Sequence, residues 1–469
     1  MTRYSNRVIA VLIVVATLGC GAAAADQSKA PEVQAPTAYK ELGNWKPSQP
    51  GDELSKGKWW ERFNDPELNR LEESLNISNQ KIAAALANVN AARALVRQAR
   101  SQYFPTVTAN AGLTRSRQPV GPTGLTTSDY SATLGASWQP DLFGRVRDTV
   151  KASRYSAQVS AADLENVRLA AQAQLASTYF ALRAQDDLQQ LLDSTVKSFE
   201  EALDVARARY TAGLDSDESV AQAETQLKTT QAQAVNVALL RAEDEHAIAV
   251  LLGTAPADFS LPARVQELNP PVVPVAVPSE LLERRPDIAA QERAVMQANA
   301  QVGVAKKAFF PQLLLTATGG FQGSSVADWF NWPDRVWSVG TSLAQTIFDG
   351  GSRRATVQQS QAVYNATVAN YRQTVLTAFQ EVEDNLAAVR ILSDVIHEQD
   401  SAVQAAKRTL DEADVRYRSG IDPYLNVITA QTALLTAQES ALTFRQQQIT
   451  ATVQLVTALG GGWDISQLR

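Results

Sequence analysis

The 469-residue sequence predicts a mainly α-helical fold with a small amphipathic β component, and it predicts that this plan is written twice. Three observations carry that reading. Two runs, 145–212 and 352–419, each 68 residues long, contain neither Pro nor Gly. Each run is preceded by a pair of segments that alternate apolar and polar residues. The two halves share anchors at a nearly constant offset: Tyr103-Phe104-Pro105 with Phe309-Phe310-Pro311, Arg209-Tyr210 and Gly213 with Arg416-Tyr417 and Gly420, and Leu252-Gly253 with Leu459-Gly460. An offset of 206 to 207 residues is far longer than a solenoid repeat of about 20–50, so it marks duplication of a half-domain.

Composition removes several classes of function. Lys+Arg number 43 against 49 Asp+Glu, a net charge of -6, which argues against a nucleic-acid partner. Two His and one Cys leave no Cys/His zinc site and no internal disulfide, and nothing in the pattern asks for a cofactor. His397-Glu398 lacks the second His of a zinc protease motif, and His246 follows Glu243-Asp244-Glu245 on a long helical run. Both His read as solvated helix positions, and no enzyme is expected.

Along the chain, Arg3 and Arg7 precede an apolar core over 8–18, an export signal too short to span a bilayer. Thr17-Leu18-Gly19-Cys20 has the form of a lipoprotein box, which places signal peptide at 1–19 and lipidation at Cys20; cleavage after Ala25 is the alternative. No later stretch is apolar for ~18 residues, so no transmembrane helix is expected. Residues 20–65, rich in Pro and holding Trp45, Trp59 and Trp60, read as an extended segment lying over other structure.

Val107, Ala109, Ala111 and Leu113 alternate with Thr and Asn, and Tyr130, Ala132, Leu134, Ala136 and Trp138 alternate with Ser and Thr. These period-two runs predict strands over about 106–115 and 130–139; the second half predicts strands over about 312–322 and 336–346. Length and aromatic ends (Tyr130, Trp138, Trp329, Trp332, Trp337) fit a membrane barrel, while hairpins of a soluble sandwich fit the alternation equally. Heptad spacing in Val196, Phe199, Leu203, Ala206, Tyr210 and in Val403, Ala406, Leu410, Ala413, Tyr417 runs into Gly213 and Gly420. Each half therefore ends in a long helical hairpin, 145–252 and 352–459, reversing at a Gly suited to a left-handed turn. The Pro-rich stretch 254–278 cannot be helical.

Four strands cannot close a barrel in lipid, and open edges are not tolerated there. If the strands sit in a membrane, several chains must share the barrel, and the hairpins then continue it as a water-lined tube.

The sequence resembles the TolC-like outer-membrane efflux proteins, in their lipoprotein (NodT-type, OprM-like) branch. The residues that carry the likeness run in order through nearly the whole chain: Trp59-Trp60, Phe104-Pro105, Leu142-Phe143-Gly144-Arg145, Arg209-Tyr210, Arg284-Arg285-Pro286-Asp287, Phe310-Pro311, Phe348-Asp349-Gly350-Gly351, Arg416-Tyr417 and Leu459-Gly460-Gly461-Gly462-Trp463. The resemblance implies mainly α structure with membrane β: a homotrimer whose 12 strands form one outer-membrane β-barrel, continued by a 12-helix periplasmic α-barrel with a mixed α/β equatorial belt. It divides the chain into repeats over 66–277 and 278–469. It also implies a periplasmic adaptor and a proton-driven inner-membrane pump as partners, small molecules as cargo, and contact with outer-membrane lipid.

Carried over by position, the adaptor-docking tips are Arg209, Tyr210, Gly213, Arg416, Tyr417 and Gly420; heptad core is the other reading of the two tyrosines. Relatives carry an acidic residue inside the second return arm where this chain has Thr429, so Asp215, Asp217 and Asp422 become the aperture candidates beside Thr429. A ring of carboxylates there would favour cations. A type I protein-secretion duct and a non-channel periplasmic coiled-coil scaffold are the alternatives; the scaffold leaves the alternating segments without a purpose.

Overall fold

The computed structural model describes residues 36, 39–42, 58–119, 124–266, 271, 284–325, 327 and 330–463. Cys20, both cleavage sites and most of the 254–278 stretch beyond 266 lie outside these residues. Helices α1 (Pro66–Ser78) and α2 (Gln80–Ser101) lead into strands β1 (Thr106–Gln118) and β2 (Leu125–Trp138), then helices α3 (Arg145–Thr211) and α4 (Asp217–Leu251). The second half repeats this with α5 (Pro286–Lys307), β3 (Gln312–Gly323), β4 (Arg335–Ala344), α6 (Ser352–Arg418) and α7 (Tyr424–Ala458). Helices α1, α2 and α5 lie outside the alternation pattern, which begins at Phe-Pro.

Most of these helices start where the sequence supplies a side-chain acceptor just ahead of them. The Asp65 carboxylate accepts from the backbone N of Glu67 and Leu68 ahead of Pro66, a capped first turn. Asn79 caps α2 through Lys81 N and Ile82 N. The Asp141 carboxylate accepts from Val146 N and Arg147 N, and the Asp349 carboxylate from Gly351 N and Arg353 N, which anchors both 67-residue helices as they leave the sheet. At ~1.5 Å per residue each is about 100 Å long. The return arms start later than the sequence pattern implies, at Asp217 after the Ser216 cap and at Tyr424 after Pro423.

The hairpins and short helices pack side by side in the order α2 with α4, then α3, then α5 with α7, then α6. Side chains make the joints between short and long layers. Ser78 Oγ donates to Leu252 O and Asn79 Nδ2 to Leu251 O, seating the end of α4 at the start of α2. In the second half Arg285 Nη1 donates to Ala458 O at the end of α7, a cation at a helix C-terminus.

The strands form one antiparallel sheet in the order β1-β2-β3-β4, with both outer edges unpaired among the described residues. Register decides its chemistry. Pairs Val107↔Ala136, Ala109↔Leu134, Ala111↔Ala132 and Leu113↔Tyr130 continue into Ala136↔Ala317, Ala132↔Phe321 and Ala317↔Val339 on one face. Thr108↔Gly135, Asn110↔Thr133, Gly112↔Ser131, Ser137↔Thr316 and Thr318↔Ser338 fill the other. Leu113 and Val339, both on the apolar face, stand 62% and 76% exposed, so nothing among the described residues covers them. β1 and β2 extend past the expected ends to Gln118 and back to Leu125, because Arg115↔Ser128 and Arg117↔Thr126 pair as polar ladder beyond the alternating band.

The main core lies at mid-height, where α1 packs on α3 through Leu68, Leu71 and Leu75. The extended covering segment expected over 20–65 differs at its end: residues Trp59–Phe63 form a 3-10 turn, and Trp59 and Trp60 are fully buried core. Two indoles repay folding inward with ~150–250 Å² of apolar burial each. A polar network ties the 254–266 segment to the helices. Asp186 accepts from Arg183 Nη1 (2.9 Å), Arg241 Nε (2.7 Å) and Arg264 N (3.0 Å), while Arg183 and Arg241 also donate to the carbonyls of Pro262 and Leu261. Glu245 accepts from Leu261 N, so this acid serves the belt. Among the described residues the belt contains helical turns and extended chain, and the only sheet is the four-stranded one.

Candidate functional site at the hairpin tips

Both hairpins reverse in the same way. Gly213 and Gly420 adopt φ of 70° and 72°. Gly213 N donates to Tyr210 O and Leu214 N to Arg209 O; Gly420 N donates to Tyr417 O and Ile421 N to Arg416 O. This is the left-handed helix ending that a Gly supplies without a Cβ penalty. The repeat places like residues at like positions: Arg209 with Arg416, Tyr210 with Tyr417, Asp215 with Asp422.

The side chains are nevertheless wired differently. Arg416 holds Asp422 within its own turn through two bonds, Nε–Oδ2 2.6 Å and Nη2–Oδ1 3.1 Å. Asp215 instead reaches across: its Oδ2 accepts from the Tyr417 hydroxyl at 2.8 Å, while Oδ1 accepts from Ser219 Oγ (2.6 Å) and Ser216 N (2.8 Å). Arg209 follows it, with its guanidinium 4.7 Å from the Tyr417 ring centre, Nη1 donating to Arg418 O, and Nε 3.7 Å from Asp215, an ion pair without a hydrogen bond. The first tip thus grips the second.

The cause lies seven residues past the tyrosines. Tyr424 follows Tyr417, and the two rings meet at a tilt of 51° with their centres 5.0 Å apart, burying both among Phe199, Leu203, Leu227 and Val427. The first repeat has Asp217 at the matching place, so Tyr210 finds no such partner and stays 49% exposed. The heptad-core reading therefore holds for Tyr417 and is corrected for Tyr210.

The electrostatics follow the wiring. Burial pushes Asp215 up, but hydrogen bonds from Ser219, Tyr417 and Ser216 N, with the Arg209 charge, hold it below the ordinary carboxylate value. The Arg416 hydrogen bonds hold Asp422 down likewise. Burial, and donation to the Asp215 carboxylate, push Tyr417 far above the usual tyrosine range; burial moves Tyr424 up to about 12. Asp217 sits exposed on the first turn of α4 without an ion pair among the described residues. Thr429 is exposed on α7, its hydroxyl donating back to Leu425 O. Sequence reasoning brought Asp215, Asp422, Arg209, Arg416 and Tyr417 together, and missed Ser219 and Tyr424. Spacing held their trace: Ser219 stands four residues after Asp215, and Tyr424 one heptad after Tyr417.

No described helix is long and apolar enough to cross a membrane. The membrane-facing element is the uncovered sheet, and a sheet of that kind joined to two long hairpins gripping at their tips defines a segment of an outer-membrane duct wall. The family model described as "Outer membrane efflux protein" matches residues 71–254 and 277–461, and the chain belongs to that family. It is a protein of the outer membrane whose hairpins reach into the periplasm. It is 34% identical over 460 residues to the antibiotic efflux pump outer membrane protein ArpC of Pseudomonas putida, covering 96% of this chain and 95% of that protein. It is 33% identical over the same length and coverage to the toluene efflux pump outer membrane protein TtgC, also of Pseudomonas putida. The solved outer-membrane channel OprN superposes with a TM-score of 0.84 at 28% identity, over 93% of this chain and 99% of that one.

Proposed function

We propose that three copies of the chain close into the passive exit duct of a tripartite efflux system. One observation carries this: a four-stranded sheet with an apolar face, a Ser/Thr/Gly face and two edges unpaired among the described residues. In lipid such a sheet must close with others. Two copies would make eight strands, a bore that side chains fill; three make twelve and leave a water path. Apolar side chains left exposed on the outermost helical layers, Val235 and Leu239 on α4 and Leu376 and Ile391 on α6, support the same closure below the membrane. Two such repeats, 66–277 and 278–469, build each third of the wall, and acylation of Cys20 would add a lipid anchor.

At the far end, the tips expose Tyr210, Leu214, Ile421 and Leu425 around Gly213 and Gly420, an apolar rim suited to a periplasmic adaptor that joins the duct to an inner-membrane pump. Asp215 bound to Tyr417, and Asp422 bound to Arg416, form the contacts of the resting aperture. Their negative charge is balanced locally, so Asp217 supplies the exposed carboxylate there and Thr429 a neutral rim. A passage needs no reacting group; selection of cargo falls to the pump. The relatives named for antibiotic and toluene efflux support small, largely apolar cargo.

The test is complementation. Produced in a strain that lacks its own duct but retains a matched pump and adaptor, the protein is expected to lower accumulation of a fluorescent pump substrate. Unchanged accumulation, with the protein assembled in the outer membrane, rejects the reading.

A further inference from the structure

A cleft of about 680 Å³ opens between α2 and α3 directly below the sheet, lined by Arg100, Arg147, Lys151 and Arg154. All four are exposed, and none enters an ion pair among the described residues. Arg93 and Arg97, one and two turns further down α2, carry the cluster to six cations on one face. Aromatic residues complete the rim: Tyr103 and Phe104, 37% and 69% exposed, just before β1, and Tyr155, whose ring lies 5.9 Å from Lys151 Nζ.

The cleft faces outward. Arg147, Lys151, Arg154 and Gln158 recur every three or four residues, and the same stripe of α3 continues to Glu165, Gln172, Tyr179 and Arg183. Those lower positions hold the belt: Gln172 bonds Trp59 and Asn76, Tyr179 bonds Asp65, and Arg183 bonds Pro262 O. A duct must keep its bore clear, so the belt covers the outer wall, and the cleft shares that side.

Its height is equally telling. Arg100 precedes the first strand residue by six positions, and Arg147 to Arg154 descend only ~10 Å along the start of α3. The second repeat keeps two of the six charges, with Lys306 and Arg354 at the places of Arg100 and Arg147, and loses four: Lys151 and Arg154 correspond to Gln358 and Gln361, Arg93 to Asn299, Arg97 to Gly303. The shared wall geometry therefore does not require those four. Concentrated unpaired cations with exposed aromatics at a membrane rim match a phosphate-bearing headgroup above and acyl chains beside it.

We infer that this cleft binds the headgroup of an anionic phospholipid in the periplasmic leaflet of the outer membrane. The inference rests on the duct reading above, because the orientation of the wall comes from it.

The purified full-length protein in non-ionic detergent is titrated with phosphatidylglycerol and, separately, with phosphatidylcholine of the same acyl chains; bound lipids are counted by native mass spectrometry. Phosphatidylglycerol is expected to bind roughly tenfold more tightly, with the preference reduced about to parity at 0.5 M salt. The Arg147→Gln/Lys151→Gln/Arg154→Gln variant is expected to lose it, and Lys407→Gln/Arg408→Gln, two exposed cations low on α6, to keep it. Equal affinity for the two lipids in the wild type overturns the inference, as does a preference that survives in the triple variant or in high salt. Displacement of phosphatidylglycerol by equimolar inorganic phosphate would assign the cleft to a free anion instead and also overturn it. If the triple variant fails to assemble, Lys151→Gln and the wild-type salt dependence still decide. Fractionation keeps the two readings apart: wild type absent from the outer membrane defeats the duct, while wild type present there without lipid preference defeats only this inference.

Discussion

Replacing Tyr417 by Phe deletes one oxygen from the contact that joins the two hairpin tips. The hydroxyl donates to Asp215 at 2.8 Å, the tyrosine is 3% exposed and the Asp215 side chain 15%. A hydrogen bond to a charged acceptor in such a setting contributes ~1.5–3 kcal/mol. Asp215 keeps Ser219 Oγ and Ser216 N, so the lower figure applies, about 1.5 kcal/mol per chain. The ring still packs against Tyr424 and still lies under Arg209, which makes the change close to isosteric. If the three tips of a trimer release together, the closed state loses roughly 4–5 kcal/mol, or about a thousandfold in the closed-to-open ratio. Single-channel recording in planar bilayers reads this directly: Tyr417→Phe is expected to show long, frequent openings where the wild type is nearly shut. Tyr210→Phe, at the matching but half-exposed position, is the control and is expected to behave as wild type. Identical recordings from Tyr417→Phe and wild type, or equal effects from both substitutions, would refute the reasoning.

Acid is expected to open the duct. Asp215 and Asp422 are held below the ordinary aspartate value of 3.8, so their contacts are fully present above that value and are lost as pH falls through the lowered one; conductance should rise only below about pH 4, and a rise already near pH 6 would contradict the assignment. Asp186→Ala leaves Arg183 buried without its carboxylate, at a cost of about 3–5 kcal/mol; the temperature at which the assembled protein dissociates in SDS should drop, while a wild-type value would speak against the belt network. Glu72 is fully buried with both carboxylate oxygens unpartnered among the described residues, and burial pushes it well above 4.5. Its contribution is present below 4.5 and is lost as pH rises through the raised value, so Glu72→Gln should be the more stable protein at pH 8, and stability equal to wild type at that pH would contradict this. Leu134→Arg on the apolar sheet face is expected to cost ~2–4 kcal/mol and abolish assembly, whereas Thr133→Arg on the other face assembles and shifts ion selectivity toward anions; equal tolerance of both would mean that the face assignment is wrong.

Much of this architecture was legible in the sequence because it rests on periodicity. The Pro-free runs, the alternation around Leu113 and Leu134 and the recurring Arg-Tyr with Gly each report a local backbone preference. What stayed hidden depends on partners. Tyr210 and Tyr417 occupy the same place in the repeat and differ because Tyr424 replaces Asp217 across the turn. Asp215 and Asp422 occupy equal places as well, yet one crosses to the other hairpin and one closes on its own. Trp59 and Trp60 sit among Pro residues that suggest a surface strap, while their indoles fill a core made by α1 and α3. Helices α1, α2 and α5 are short and lack the alternation that marks the strands after them; for the first two, the caps Asp65 and Asn79 are the trace in the sequence.

The central claim is that the chain forms a duct only as a closed set of three. The mass of the mature protein extracted in non-ionic detergent, measured by light scattering with the detergent contribution subtracted, tests it most directly. The account predicts a single species of three chains that dissociates to one chain on heating in SDS. A monomer would leave both sheet edges open, and a dimer would close eight strands around a filled bore; either result contradicts the account.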